Sequence, residues 1–106
     1  MASGIFGYFK FTMKDNLLDG VYMNQTTPAL EPETGQKIAG DPNTFIGTYE
    51  TQWTDTALRN AVLRIDAQNV DTFSLTWNLQ NPPVRFLGRG IVNAHNELVG
   101  FYEMLP

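Results

Sequence analysis

The sequence predicts an all-β protein, a small antiparallel up-and-down meander barrel of seven or eight strands in which residues 1–106 form one domain. The clearest observation is a strict alternation of apolar and polar side chains over residues 73–80, which is typical of an amphipathic strand. Glycines within strand-like segments are the second observation, because mid-strand glycine permits the sharp coiling that closes a sheet into a barrel. These glycines are Gly7, Gly47, Gly88 and Gly100.

A hairpin is predicted at the beginning of the chain. Residues 5–13 alternate between a fully apolar face and a mixed face, which favours a strand. Lys14, Asp15 and Asn16 then have turn chemistry, since Asp and Asn side chains bond their own backbone. Residues 17–24 are therefore expected to return as the second strand.

Residues 25–43 lack a regular pattern and contain three prolines and two glycines. They predict a long loop, which in a compact domain is often a lid, a binding loop or a partner contact. The alternative interpretation is a surface excursion across one end of the barrel. A short strand or a single helical turn around residues 35–40 is left open.

Two further strands are expected in the middle of the chain. Residues 44–53 predict a strand because they are rich in aromatic side chains. We interpret residues 56–67 as a strand that forms a hairpin with residues 73–80, because Val62 and Ile65 are β-branched and turn-like residues follow. A helix is the alternative, since the apolar positions of this segment also fit helical spacing.

The C-terminal part of the chain is predicted to be a three-stranded meander. Its first strand is the alternating segment 73–80, which the Asn-Pro-Pro sequence of residues 81–83 must end because proline cannot donate to a β-ladder. Residues 84–93 and 98–104 supply the other two strands. Residues 93–96 form the hairpin tip between them.

The composition argues against several classes of function. With a net charge of −4 and only seven scattered Lys and Arg residues, the chain lacks the basic patch that nucleic-acid binding needs. The absence of cysteine excludes disulfides and thiolate sites and fits a reducing compartment. Because the N-terminal segment also lacks the pattern of a signal peptide, we expect a cytoplasmic protein. No apolar run approaches the roughly 20 residues of a transmembrane helix, so no membrane association is expected.

No metal site and no cofactor are predicted. His95 is the only histidine, and its place in a hairpin tip indicates a solvated turn residue. The aspartates lie in or near turns, where their side chains bond the local backbone. Neither Ser3 nor Ser74 has the surroundings of a nucleophile elbow.

Three segments of the sequence resemble strands of the calycin group, which contains lipocalins, fatty-acid-binding proteins and avidin-like barrels. They are GTYE at residues 47–50, FSLTW at residues 73–77, and FLGRG at residues 86–90 together with LVGFYE at residues 98–103. The resemblance covers about residues 44–104 and concerns the general architecture, since the first strand carries Gly7 and Tyr8 without the tryptophan common in lipocalins. It implies an eight-stranded meander that holds one small, largely apolar molecule.

The candidate ligand-binding residues are aromatic side chains on predicted strands and two arginines in the middle of strands, because ligand sites are mostly apolar with a few placed polar groups. They are Tyr49, Trp53, Arg64, Trp77, Phe86, Arg89 and Tyr102. For each aromatic residue the alternative is ordinary core packing. An inward arginine would orient a ligand carboxylate, carbonyl or phenolate, whereas outward arginines would form surface pairs with Glu50 or Glu103.

These features favour the binding of a small hydrophobic molecule in a barrel pocket. One alternative is an isomerase, cyclase or decarboxylase on the same barrel that uses polar groups such as Tyr49, Glu50 or Arg89. A second alternative is a protein-interaction module that contacts its partner through residues 25–43. A homodimer is also expected, since small barrels with exposed aromatic residues commonly pair.

Overall fold

The computed structural model describes residues 4–27, 29–55, 57–80 and 83–105, and it shows a closed antiparallel barrel of eight strands. The strands are β1 (Phe6–Lys14), β2 (Leu17–Asn24), β3 (Glu31–Ala39), β4 (Gly47–Thr54), β5 (Leu58–Ala67), β6 (Thr72–Gln80), β7 (Pro83–Val92) and β8 (Leu98–Met104). Each strand pairs with its neighbour in sequence, and β1 pairs with β8 to close the barrel. The predicted all-β, up-and-down fold is confirmed.

The period-2 pattern of the sequence places its apolar residues inside the barrel. On β6, Leu75 is fully buried and both Trp77 and Leu79 are buried beside it. On β1 the same alternation directs Phe9 and Phe11 inward. A continuous core results. Its buried members are Phe9, Phe11, Leu18, Tyr22, Phe45, Tyr49, Ala61, Leu63, Ile65, Leu75, Trp77, Leu79 and Leu98.

The prediction of a long loop over residues 25–43 is wrong, because β3 occupies its centre and completes the barrel wall between β2 and β4. The strand is longer than the short one left open at residues 35–40. Its inward side chains are Glu33, Gly35 and Lys37, so its buried face contains no large apolar group and has no hydrophobic alternation. Pro32 pairs only with β2, at a position where β3 has no β4 partner and a missing N–H breaks no second ladder.

The segment that fitted both strand and helix is a strand, so the helical alternative is wrong. Ala61, Leu63 and Ile65 alternate inward along β5, and Val62 faces outward. The predicted beginning of this strand at Thr56 lies outside the described residues, as do Asn81 and Pro82 of the predicted turn. In the described part of the chain, no helix is long and apolar enough to cross a membrane.

One end of the barrel is closed by residues 40–46, which connect β3 to β4. Phe45 is buried there, and its carbonyl accepts a hydrogen bond of 2.7 Å from the Tyr49 hydroxyl. The ammonium group of Lys37 donates to the backbone carbonyls of Asp41, Thr44 and Ile46. Burial lowers the pKa of Lys37, and the nearby Asp41 partly opposes that shift. This lysine therefore holds the connection over the closed end.

Gly88 on β7 makes room for the largest inward side chain of the neighbouring strand. A Cβ atom at Gly88 would lie 2.9 Å from Cζ3 of Trp77 and 2.9 Å from the Phe101 carbonyl oxygen. The indole therefore occupies space that any other residue at position 88 would take. Glycine is required at this position because the Trp77 ring and the Phe101 carbonyl oxygen approach its backbone so closely.

We expect Gly88→Ala to destabilise the barrel by roughly 1–3 kcal/mol. The added methyl group would lie too close to both the Trp77 ring and the Phe101 carbonyl oxygen, and the packed interior leaves little room for either to shift. Gly4→Ala is the control, since a Cβ there would make only ordinary contacts, the nearest at 3.6 Å. Urea unfolding followed by tryptophan emission measures both variants. Equal stability of Gly88→Ala and the parent chain would contradict the packing argument.

Candidate functional site

The end of the barrel opposite the Lys37 cap contains a cavity of about 210 Å³. Phe9, Glu33 and Trp77 separate it from the filled half of the interior. Its remaining lining residues are Ile5, Tyr22, Asn24, Thr26, Thr27, Trp53, Asp55, Arg59, Leu79, Val84, Phe86, Tyr102 and Met104. An eight-stranded barrel has room for side chains or for one small ligand, and here the interior is divided between the two.

Aromatic rings form most of the cavity wall. Trp53 lies edge-on to Tyr22 and to Phe86, with ring centres 6.4 Å apart in both pairs. Tyr102 continues the series, with its ring centre 5.8 Å from both Phe86 and Trp77. These distances are those of favourable edge-to-face and tilted pairs, so each ring supports the next along the wall.

A buried carboxyl group projects into this aromatic cavity. Glu33 lies on β3 directly opposite Trp53 of β4, and its side chain is almost fully buried. Its Oε2 atom accepts a hydrogen bond of 3.0 Å from Nε1 of Trp77 on β6, across the interior. Its other oxygen, Oε1, has no hydrogen-bond partner among the described residues. Glu33 also forms no ion pair with any residue of the described chain.

Burial controls the protonation of Glu33. Removal from water raises its pKa from 4.5 to about 7, and the hydrogen bond from Trp77 opposes that rise by favouring the charged form. The hydroxyl of Thr51 lies nearby and acts in the same direction as Trp77. This hydroxyl forms no hydrogen bond with any described group. Burial therefore favours the protonated form of this carboxyl group to a higher pH than for an exposed glutamate.

Two tyrosine hydroxyls supply further polar groups at the cavity. Asn24 donates a hydrogen bond of 2.9 Å from Nδ2 to the Tyr102 hydroxyl oxygen. Burial is the main cause that raises the pKa of Tyr102, and it also raises the pKa of Tyr22 to about 12. Both phenols are therefore neutral at ordinary pH and can donate a hydrogen bond to a ligand.

A charged pair lies at the rim of the cavity. The Nε atom of Arg59 donates to both carboxylate oxygens of Asp55, at 3.1 and 3.2 Å. The pair is partly exposed and contributes little to stability. Its charges cancel locally, so Glu33 determines the sign of the charge inside the cavity.

The described residues contain no group of His and carboxylate side chains that could hold a metal ion.

The structure brings four of the seven sequence-predicted site residues together around the cavity. They are Trp53, Trp77, Phe86 and Tyr102. Tyr49 faces inward on the same side of β4 as Trp53, but it lies in the filled half of the barrel, where its hydroxyl bonds the Phe45 carbonyl. It packs in the core and does not line the cavity.

Arg64 and Arg89 lie on the outer face of the barrel, which is the outward alternative of the sequence analysis. Each stands between two inward-facing residues of its strand, so alternation directs it to solvent. Arg64 pairs with Asp66 of its own strand at 3.1 Å, instead of with the expected Glu50 or Glu103. Neither arginine is among the residues that line the cavity.

Sequence reasoning missed Glu33 and Tyr22, two of the polar residues that define the cavity. Glu33 was placed in a loop because the inward face of β3 has no apolar residue. Tyr22 lies on a strand that was predicted, and its alternation with Leu18 would have placed it inside. The alternation along β2 was therefore the sequence signal that could have identified Tyr22 as an inward-facing residue.

A second concavity of about 630 Å³ lies on the outer surface over β3 to β6. Its rim carries exposed amide side chains, including Gln36, Gln52 and Asn60. Amides in water already have hydrogen-bond partners and favour no particular ligand. The buried carboxyl and the clustered rings make the inner cavity the candidate site.

The fold and the site define a closed eight-stranded antiparallel barrel with a preformed interior cavity, an architecture compatible with that of the calycin group. Comparison of the chain with protein-family models, with curated proteins and with solved structures gives no match.

The raised pKa of Glu33 predicts a stability that falls as pH rises. Between about pH 4.5 and pH 7 the folded chain holds a proton that the unfolded chain has released, so ionisation costs the folded state about 3 kcal/mol across that window. Glu33→Gln keeps an acceptor for Trp77 and removes this ionisation. Its stability relative to the parent chain should therefore rise by about that amount from pH 4.5 to pH 8.

Urea unfolding of both chains at several pH values measures this difference. Glu50→Gln is the matched control, because it removes the same charge from an exposed position on the neighbouring strand. A Glu33→Gln difference that stays constant with pH, as expected for the control, would contradict the assigned shift.

Proposed function

We propose that this protein binds a small, largely hydrophobic molecule inside the open half of its barrel. The observation that carries this proposal is the aromatic cavity of about 210 Å³ with one buried, incompletely bonded carboxyl group at its base. Ligand sites combine such apolar walls with a small number of polar groups that fix orientation. The wall rings support one another, so the cavity exists before the ligand arrives and little has to be ordered on binding.

The volume of the cavity limits the ligand. Benzene fills an apolar cavity of about 150 Å³, so a ligand of about ten non-hydrogen atoms suits this one. A long fatty acid is too large for the enclosed space. With favourable contributions of roughly half a kilocalorie per mole from each atom, the expected dissociation constant for a simple aromatic probe is on the order of 100 μM.

The fold removes the long loop on which the protein-interaction alternative was based. The alternative depended on a long loop over residues 25–43, and the centre of that segment is a strand of the barrel wall. What remains are two shorter connections, one at the cavity mouth and one held over the closed end by Lys37.

Ligand binding is tested with phenethyl alcohol, a neutral aromatic probe of suitable size, titrated by calorimetry. We expect Val84→Trp to weaken its binding at least about tenfold, because Val84 lines the cavity and the larger ring would fill it. Leu87→Trp is the matched control, since Leu87 lies on the same strand with its side chain on the outer face. Equal binding by both variants would contradict a ligand site inside the barrel.

A second candidate function is proton transfer on the same barrel, with Glu33 as the acid and base. A carboxyl pKa of about 7 in an apolar cavity suits general acid–base catalysis at neutral pH. Of the reactions considered, isomerisation needs only the movement of one proton between two carbons, which a single carboxylate can perform. Decarboxylation would require a substrate with the same charge as Glu33. Glu50 and Arg89 lie outside the barrel, and Tyr49 lies in the core.

The second candidate is tested with a small β,γ-unsaturated cyclic ketone, whose conjugated isomer absorbs in the ultraviolet. If Glu33 moves the proton, Glu33→Gln should lower the rate at least about a hundredfold while the barrel stays folded. Glu50→Gln should leave the rate unchanged. Equal rates with and without protein would remove this candidate.

A further inference from the structure

The charge inside the cavity discriminates among ligands. Of the Asp, Glu, Lys and Arg side chains that line it, Asp55 and Arg59 bind one another at the rim, and Glu33 alone lies buried at the base. Arg59 is the only Lys or Arg among the described residues that line the cavity, and its side chain pairs with Asp55 at the rim. The net charge of the whole chain is also negative, at −4, which favours the approach of cations.

The aromatic walls, like the carboxyl group, favour a cationic ligand. Cations are attracted to the faces of aromatic rings, most strongly to tryptophan. Trp53 is the cross-strand partner of Glu33, and Trp77 bonds its Oε2 atom, so two indoles flank the carboxyl group. The Oε1 atom, which lacks a described partner, is available to accept a hydrogen bond from a ligand.

We propose that the ligand is a small organic cation, an aromatic or alkyl amine whose ammonium group pairs with Glu33 while its apolar part fills the ring-lined cavity. This inference rests on the proposed binding function and specifies its ligand class. A carboxylic acid of the same size would place its negative charge against Glu33, and the one Arg that lines the cavity, Arg59, is already paired with Asp55. Desolvation of two like charges is costly, so acids are excluded.

Binding of the amine should depend on pH through Glu33. The titratable groups that line the cavity with it are Tyr22 of β2, Tyr102 of β8, and the rim pair Asp55 and Arg59. Both tyrosines stay neutral because their pKa values are raised. Since burial raises the pKa of Glu33 to about 7, an ammonium ligand must displace a proton below that pH. Its affinity should therefore fall as the solution becomes more acid.

Calorimetric titration of the intact chain with three matched probes tests the inference. Phenethylamine is a cation, phenethyl alcohol is neutral and phenylacetate is an anion, and all three share one ring. At about pH 8 we expect the amine to bind at least about tenfold tighter than the alcohol, with no detectable binding of the acid. At about pH 5.5 the advantage of the amine should shrink several-fold, because Glu33 is then protonated.

Glu33→Gln should abolish the preference for the amine over the alcohol, while Glu50→Gln should retain the preference. If the parent chain binds the amine no better than the alcohol, or binds the acid best, the cation inference is overturned and the hydrophobic binding function stands. If the parent chain binds none of the three probes, both the cation inference and the hydrophobic binding function are overturned. The pH series on the parent chain gives the same decision should Glu33→Gln fail to fold.

Discussion

The hydrogen bond from Trp77 to Glu33 determines how the interior of this barrel is divided. It joins β6 to β3 on opposite sides of the barrel and fixes the indole above Gly88 and against Phe9. Without it, the buried carboxyl would have no hydrogen-bond donor among the described residues, which is costly in an apolar interior. The same bond therefore satisfies the carboxyl group and sets the base of the cavity.

Above that bond, aromatic rings line the cavity. Edge-to-face contacts run from Tyr22 through Trp53 and Phe86 to Tyr102, and the contact between Trp53 and Phe86 crosses the interior from β4 to β7. Below it, aliphatic side chains together with Phe11, Phe45 and Tyr49 fill the interior.

The sequence predicts the barrel well and the site only in part, for identifiable physical reasons. Alternation found the strands whose inward face is apolar, and it identified Trp77 and Trp53 as inward aromatics. It could not separate Trp53 from Tyr49, since both share one face of β4 and differ only in depth along the barrel. It did not identify Glu33 as a site residue, because a strand whose buried residues are polar or glycine shows no hydrophobic alternation.

That strand carries two buried ionisable groups, and their surroundings assign them different roles. Lys37 donates to three backbone carbonyls and holds a connection closed, so its interactions account for its burial. Glu33 has one donor and one oxygen without a described partner, in a cavity that the chain leaves unfilled. A buried charge that is only partly satisfied lowers stability unless something else binds it. The incomplete bonding of Glu33, rather than its burial, is therefore what makes it the candidate ligand contact of β3.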